Sequence, residues 1–218
     1  MTTAIILDNK LHIGSLQKES SPKTRASWTD VVNGVVILDP EKIAAQLNQA
    51  KAKVQAIKAD NKSVLVVCDK VAYTDELQAL SEAHGFHYLN DKVPGGFLTN
   101  FETLTSKIKD LNQKVAFEES EEFAKLTKKE QVMHKRSVKK IKRVYGGVAK
   151  LAKKPDLVIV VDGATMTNFL HEVKKEKIEN IVLASTDFSQ RWDESSLVLA
   201  NMKSYQSLDF IISYLFSK

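Results

Sequence analysis

Eight basic side chains, Lys128, Lys129, Lys135, Arg136, Lys139, Lys140, Lys142 and Arg143, recur at intervals that put several on one helical face. A row of that kind neutralises a row of phosphates, releases their counterions and makes binding salt-dependent. It positions a protein on a polyanion without reading base sequence. The window from Lys125 to Lys154 holds twelve Lys or Arg and one acid, Glu130, a net charge of +11. The whole 218-residue chain carries only +5, so the remainder sums to −6. Such segregation points to nucleic-acid phosphate, the plainer alternative being a solvated helical face. Lys23 and Arg25, in the polar stretch Gln17 to Ser27, form a second small basic element. Trp28 beside them is either a stacking group or, more commonly for a lone Trp, part of the core.

Catalytic groups are sparse. Gly95-Gly96 lacks the third glycine of a dinucleotide fingerprint, and no Gly-Lys-Ser or Gly-Lys-Thr phosphate loop occurs. The histidines are His12, His84, His87, His134 and His171. His84 and His87 could share a face, but no third ligand accompanies them, so neither a metal nor a cofactor is expected. Asp162 and Asp187 follow apolar runs, where open parallel sheets bind ligands beyond the carboxyl ends of strands. For Asp162 the favoured reading is a cap of the following helix. The single cysteine, Cys68, lies in an apolar run, which makes it a buried, inert thiol.

The elements that must carry these residues follow from periodicity. Gly34 to Leu38, Val64 to Cys68, Leu157 to Val161 and Ile181 to Ala184 are nearly continuous apolar runs, as in central strands of a parallel sheet covered on both faces. Helical patterns follow them: from Asp39-Pro40-Glu41 through Ile43, Leu47, Val54 and Ile57, and over about Thr74 to His84, Met166 to Lys177 and Lys203 to Phe216. Strand and helix alternate, which predicts an α/β layered fold with a mostly parallel sheet. Phe97, Phe101, Leu104, Ile108, Leu111 and Val115 break that rhythm with the 4, 3, 4, 3, 4 spacing of a coiled-coil seam. After the acidic piece Glu118 to Glu122, a less regular seam runs through Phe123, Leu126 and Met133, then Ile141, Val144, Val148 and Leu151. The expectation is an antiparallel helical hairpin at 97–151, closed by Gly146-Gly147 and inserted into a globular body at 1–96 and 152–218. No run approaches the length of a membrane span, and the N-terminus has no signal-peptide pattern, so a reducing cytoplasm is expected.

Several of these segments resemble one family. Gly95-Gly96-Phe97-Leu98-Thr99-Asn100-Phe101, Leu126-Thr127-Lys128-Lys129-Glu130, Tyr145-Gly146-Gly147-Val148 and Pro155 to Asp162 match, in order and spacing, motifs of bacterial-type ribosomal protein two of the small subunit. Leu11-His12-Ile13-Gly14 and Asn33-Gly34 extend the likeness, which runs from about His12 to Leu215. It implies a flavodoxin- or Rossmann-like α/β body with a coiled-coil hairpin. It implies no catalysis, no cofactor and no small-molecule substrate. The implied partners are small-subunit rRNA and neighbouring ribosomal proteins, small-subunit protein one among them in many bacteria. RNA contacts are then expected at Lys70, Lys92, Gly95, Gly96, Thr99 and Asn100 besides the basic residues already named. The rival expectation is a cytoplasmic nucleotide-binding protein or enzyme working through Asp162 and Asp187.

Overall fold

The computed structural model describes residues 2–90 and 93–217. In chain order the elements are α1 (Thr3–Asp8), β1 (Ile13–Leu16), β2 (Trp28–Val32), β3 (Val35–Leu38), α2 (Pro40–Ala59), β4 (Val64–Cys68), α3 (Thr74–His84) and β5 (His87–Asn90). Then follow α4 (Phe101–Glu118), α5 (Glu121–Lys125), α6 (Lys128–Tyr145), β6 (Leu157–Val161), α7 (Thr167–Glu176), β7 (Glu179–Ala184), β8 (Leu197–Leu199) and α8 (Tyr205–Phe216).

Strands with an apolar residue at every position must be covered on both faces, and β4 and β6 are buried throughout. They lie at the centre of a five-stranded sheet of order β5-β4-β6-β7-β8 in which every pair is parallel. Val66 of β4 stands beside Ile159 of β6, which stands beside Ile181 of β7. Helices cover both sides of this sheet, giving the three-layer Rossmann-like arrangement. The chain steps outward from β4 to β5 and then returns to the opposite side of β4 with β6, so the topological switch point lies between β4 and β6. Helix α2 starts as its residues dictate: Asp39 accepts from the Glu41 amide at 2.9 Å and Pro40 opens the first turn. Its buried stripe is Ile43, Leu47, Ala50, Val54 and Ile57.

One expected strand belongs elsewhere. β3, read from sequence as part of the parallel sheet, is the middle strand of a separate antiparallel sheet of order β1-β3-β2. Asn33 and Gly34 take positive φ of 50° and 76°, the pairing that a two-residue hairpin turn requires, and this folds β3 back on β2. Its burial alternates, with Val36 and Leu38 inside, because one face of this small sheet is open to water.

Helices α4 and α6 pack against each other and run in opposite directions. Glu118 meets His134 at 3.3 Å near one end, and Asn112 donates to the Ala149 carbonyl at 3.2 Å toward the other. Phe97, Phe101, Leu104, Ile108 and Leu111 are buried as the first seam predicts and join the core of the sheet domain, but the seam stops there, because its last expected position, Val115, is exposed. The second seam needs correction. Met133 is 61% exposed, and the inward positions are instead Gln131, His134, Val138, Ile141 and Tyr145, again spaced 3, 4, 3, 4. A capping box between Thr127 and Glu130 fixes where α6 begins and therefore its phase. Gln131 donates to the carbonyls of Phe123 and Leu126, and the His134 ring lies 5.4 Å from both Phe117 and Phe123. Two polar members hid the period from an apolar count.

The return from α6 to the sheet is tight. A Cβ on Gly147 would lie 2.3 Å from the Tyr88 carbonyl oxygen, a backbone atom of β5 that cannot yield by a rotamer change. Gly147→Ala should therefore lower stability by about 1–3 kcal/mol, as overpacking does. Gly146→Ala, where the new methyl would meet only the Lys142 side chain at 3.3 Å, should cost less. Urea midpoints of the two variants check the order.

Candidate nucleic-acid interface

All eight basic residues of α6 are exposed along their helix. The acid nearest them in sequence, Glu130, turns to the Thr127 hydroxyl and amide at 2.8 and 2.9 Å, which holds its carboxyl below the usual range. The positive face is thus not neutralised by its own helix. The eight cations divide into two sets. Lys135, Lys139, Lys142 and Arg143 line a cleft of about 950 Å³ between α6 and the α3–β5 side of the body. Phe86, Tyr88 and Val138 contribute apolar wall, and Glu82 and Glu118 contribute acids. Lys128, Lys129, Arg136 and Lys140 lie outside it. Lys135 also sits over the Phe123 ring at 5.8 Å.

The second basic element is fixed to the body. Thr24 donates to the Thr186 carbonyl at 3.0 Å, and the Ser21 amide donates to the same oxygen at 2.7 Å. The Trp28 indole N–H donates to Thr24 at 3.0 Å, and the Arg25 guanidinium stacks over the indole at 5.4 Å. Trp28 is half-buried and packs on the core, so the core reading holds while its remaining face carries Arg25. Lys23 donates to the Ser189 carbonyl.

The glycine pair sits at the entrance to α4. Gly96 adopts φ 80°, and the amides of Gly96 and Leu98 donate to the two carboxylate oxygens of Glu172 at 2.7 and 2.9 Å. Thr99 and Asn100 are exposed, with Asn100 accepting from Thr103 at 2.7 Å. Lys92 lies outside the described residues. Sequence reasoning missed both Glu172 and Thr186, since an acid in mid-helix and a hydroxyl after a strand carry no motif.

Beyond the carboxyl ends of β4 and β6, where a sheet of this kind binds its ligand, Lys70 and Asp162 form an ion pair at 2.8 Å. Burial alone would lower the Lys70 pKa, but the hydrogen bond and charge of Asp162 outweigh it and hold the ammonium above its ordinary value. Removing one partner would cost on the order of 1–3 kcal/mol, less than for a fully buried pair because Lys70 is partly reached by water. The expected capping role of Asp162 is overturned. Helix α7 follows Met166 with no side-chain cap, and Asp162, at φ 62°, spends its carboxylate on Lys70. The Cys68 thiol is fully buried and pushed up to about 11 by desolvation, an inert group. Among the described residues no group of three or more His, Cys, Asp or Glu is placed to hold a metal ion, and no helix is long and apolar enough to cross a membrane.

The body is a three-layer Rossmann-like α/β domain with an ion pair beyond the ends of its two central strands and its cations gathered on one exposed helix. The family is defined by comparison: the family model described as ribosomal protein S2 matches residues 6–217, and the chain belongs to that family. Among curated relatives, small ribosomal subunit protein uS2 of Coprothermobacter proteolyticus is 29% identical over 187 residues, covering 86% of this chain and 70% of that protein. The protein of the same name from a Picosynechococcus species is 28% identical, covering 86% of this chain and 73% of its own length. The one from Ureaplasma parvum is 28% identical over 211 residues, 96% of this chain and 60% of the relative.

Asp187, the other candidate acid, is half-buried, with Oδ1 left without a hydrogen-bond partner. Burial, then the Asp162 charge, raises its pKa. A folded pKa above the unfolded value means that Asp187 favours the fold at acid pH and loses that contribution as pH rises through the folded pKa. Asp187→Asn should therefore raise the melting temperature near pH 7.5, and the gain should vanish below about pH 3, where the wild-type carboxyl is protonated in both states. Thermal melts across that range check the sign.

Proposed function

We propose that this protein is a structural constituent of the small ribosomal subunit, docking on small-subunit rRNA through the cations of α6 and on neighbouring ribosomal proteins through its body. The observation that carries the proposal is the row of eight exposed cations on one helix anchored to a Rossmann-like domain. The membership of the ribosomal protein S2 family supports it, as do relatives named as small-subunit proteins. Charge supplies affinity without base recognition, so specificity comes from fitting body and helix pair together onto a folded RNA surface. Arg25 on Trp28, Lys23, Lys70, Lys92 and the exposed Thr99 and Asn100 are secondary RNA contacts in this scheme. Segment 97–151 acts as the arm and the flanking segments as its mount. Small-subunit protein one is among the neighbours this body would meet, and the working compartment is the cytoplasm, with the ribosome.

Sedimentation of the tagged protein tests the proposal. It should co-migrate with small subunits, and ribonuclease or high salt should release it. A free monomer indifferent to both would overturn the assignment. Lys139, Lys140, Lys142 and Arg143 changed together to Gln should weaken incorporation at least tenfold in competition with wild type. The melting temperature should barely move, because exposed charges contribute little to stability. Incorporation equal to wild type would remove α6 as the main anchor.

A further inference from the structure

The helix pair meets the body at two feet, and the two are held by different means. At the second foot, Gly147 packs directly on the β5 backbone, with Tyr145 and Val148 buried beside it. At the first, Phe97 and Leu98 are fully buried and the α4 stripe from Phe101 to Leu111 packs on the core. Rotation of the loop that leads into that stripe is set by a polar contact. Both carboxylate oxygens of Glu172 are occupied, one by the Gly96 amide at 2.7 Å and one by the Leu98 amide at 2.9 Å. Two charge-assisted bonds to amides two residues apart hold the loop in rotation as well as position. Glu172 itself stands on α7, whose Phe169, Leu170 and Val173 are buried in the sheet core. The clamp therefore ties the entrance of α4 to a helix packed on the sheet core.

We propose that Glu172 is the positioning residue that aims the α4–α6 pair. Leverage makes this matter. The 18 residues of α4 extend about 27 Å, so a turn of about 10° at the foot displaces the far end by about 5 Å. A displacement of that size takes a row of cations off a row of phosphates. The inference rests on the ribosomal reading for its consequence, but the aiming itself is measurable without RNA.

The same loop geometry, a positive-φ glycine with convergent amides, is also the form of an anion nest. If the nest served an RNA phosphate, with Glu172 only a stand-in, removing the carboxylate would open it. The two roles give opposite signs. Glu172→Gln keeps the side-chain length and raises net charge by one, so electrostatics alone would tighten RNA binding. Loss of aim would loosen it.

The test uses the full chain with spin labels on Glu119→Cys and Glu41→Cys, both exposed in wild type, Cys68 being buried. In Glu172→Gln and Glu172→Ala the electron–electron distance distribution should broaden by about 5 Å or more relative to wild type. Near-ultraviolet circular dichroism of Trp28 and Trp192 should be unchanged, showing an intact body. Glu172→Asp, too short to reach both amides, should fall between. Affinity for small-subunit rRNA at fixed salt should drop five- to twentyfold in the Gln variant despite its extra positive charge. An unchanged distance distribution overturns the proposal, and tighter rRNA binding by the Gln variant assigns the loop to phosphate instead. Should wild type itself ignore rRNA, the ribosomal reading fails, while the distance measurement still decides whether Glu172 aims the pair.

Discussion

Everything in this molecule hangs from one continuous apolar core. The buried strands β4 and β6 form its centre, and the stripe Phe101, Leu104, Ile108 and Leu111 extends it into the helix pair without a break. A basic helix such as α6, with eight cations and mostly exposed positions, has too narrow an apolar face to be stable alone. It is held by burying Val138 and Tyr145 against that extension. The charge on its outer surface is tolerated because the inner surface is anchored, and the anchoring reaches back to the sheet.

The crevice at the switch point shows how a fold shared with many enzymes is turned to another use. An open parallel sheet leaves the carboxyl ends of its strands free for a ligand. Here a lysine and an aspartate just past the two strands flanking the switch satisfy each other, and the last residue of β4, Cys68, is a buried thiol of raised pKa. The ammonium and carboxylate that stand beyond those strand ends are spent on each other.

The sequence made the layered α/β class legible because strands buried on both faces can only be written as unbroken apolar runs. It made α2 legible down to its first residue, since Asp39 and Pro40 have no better place. It misled at β3, whose run looked central although Asn33-Gly34 makes it a hairpin strand. It misled at Met133, where Gln131 and His134 fill inward places through hydrogen bonds and ring contacts that an apolar count ignores. The row of cations on α6 was plain from spacing, but its division between a cleft-facing and an outward set depends on tertiary placement. The Glu172 clamp and the Lys70–Asp162 pair join residues 76 and 92 positions apart, beyond any local pattern.

The acidic turn deserves a different view from the helices it joins. Glu118, Glu119, Glu121 and Glu122 gather where α4 passes to α6, immediately beside the most basic helix of the chain. Against a polyanion, four carboxylates at the far end repel while the shaft attracts, and over distances near the Debye length the two effects act as a torque. A polyanion would therefore meet this helix pair along its side and not at its acidic end.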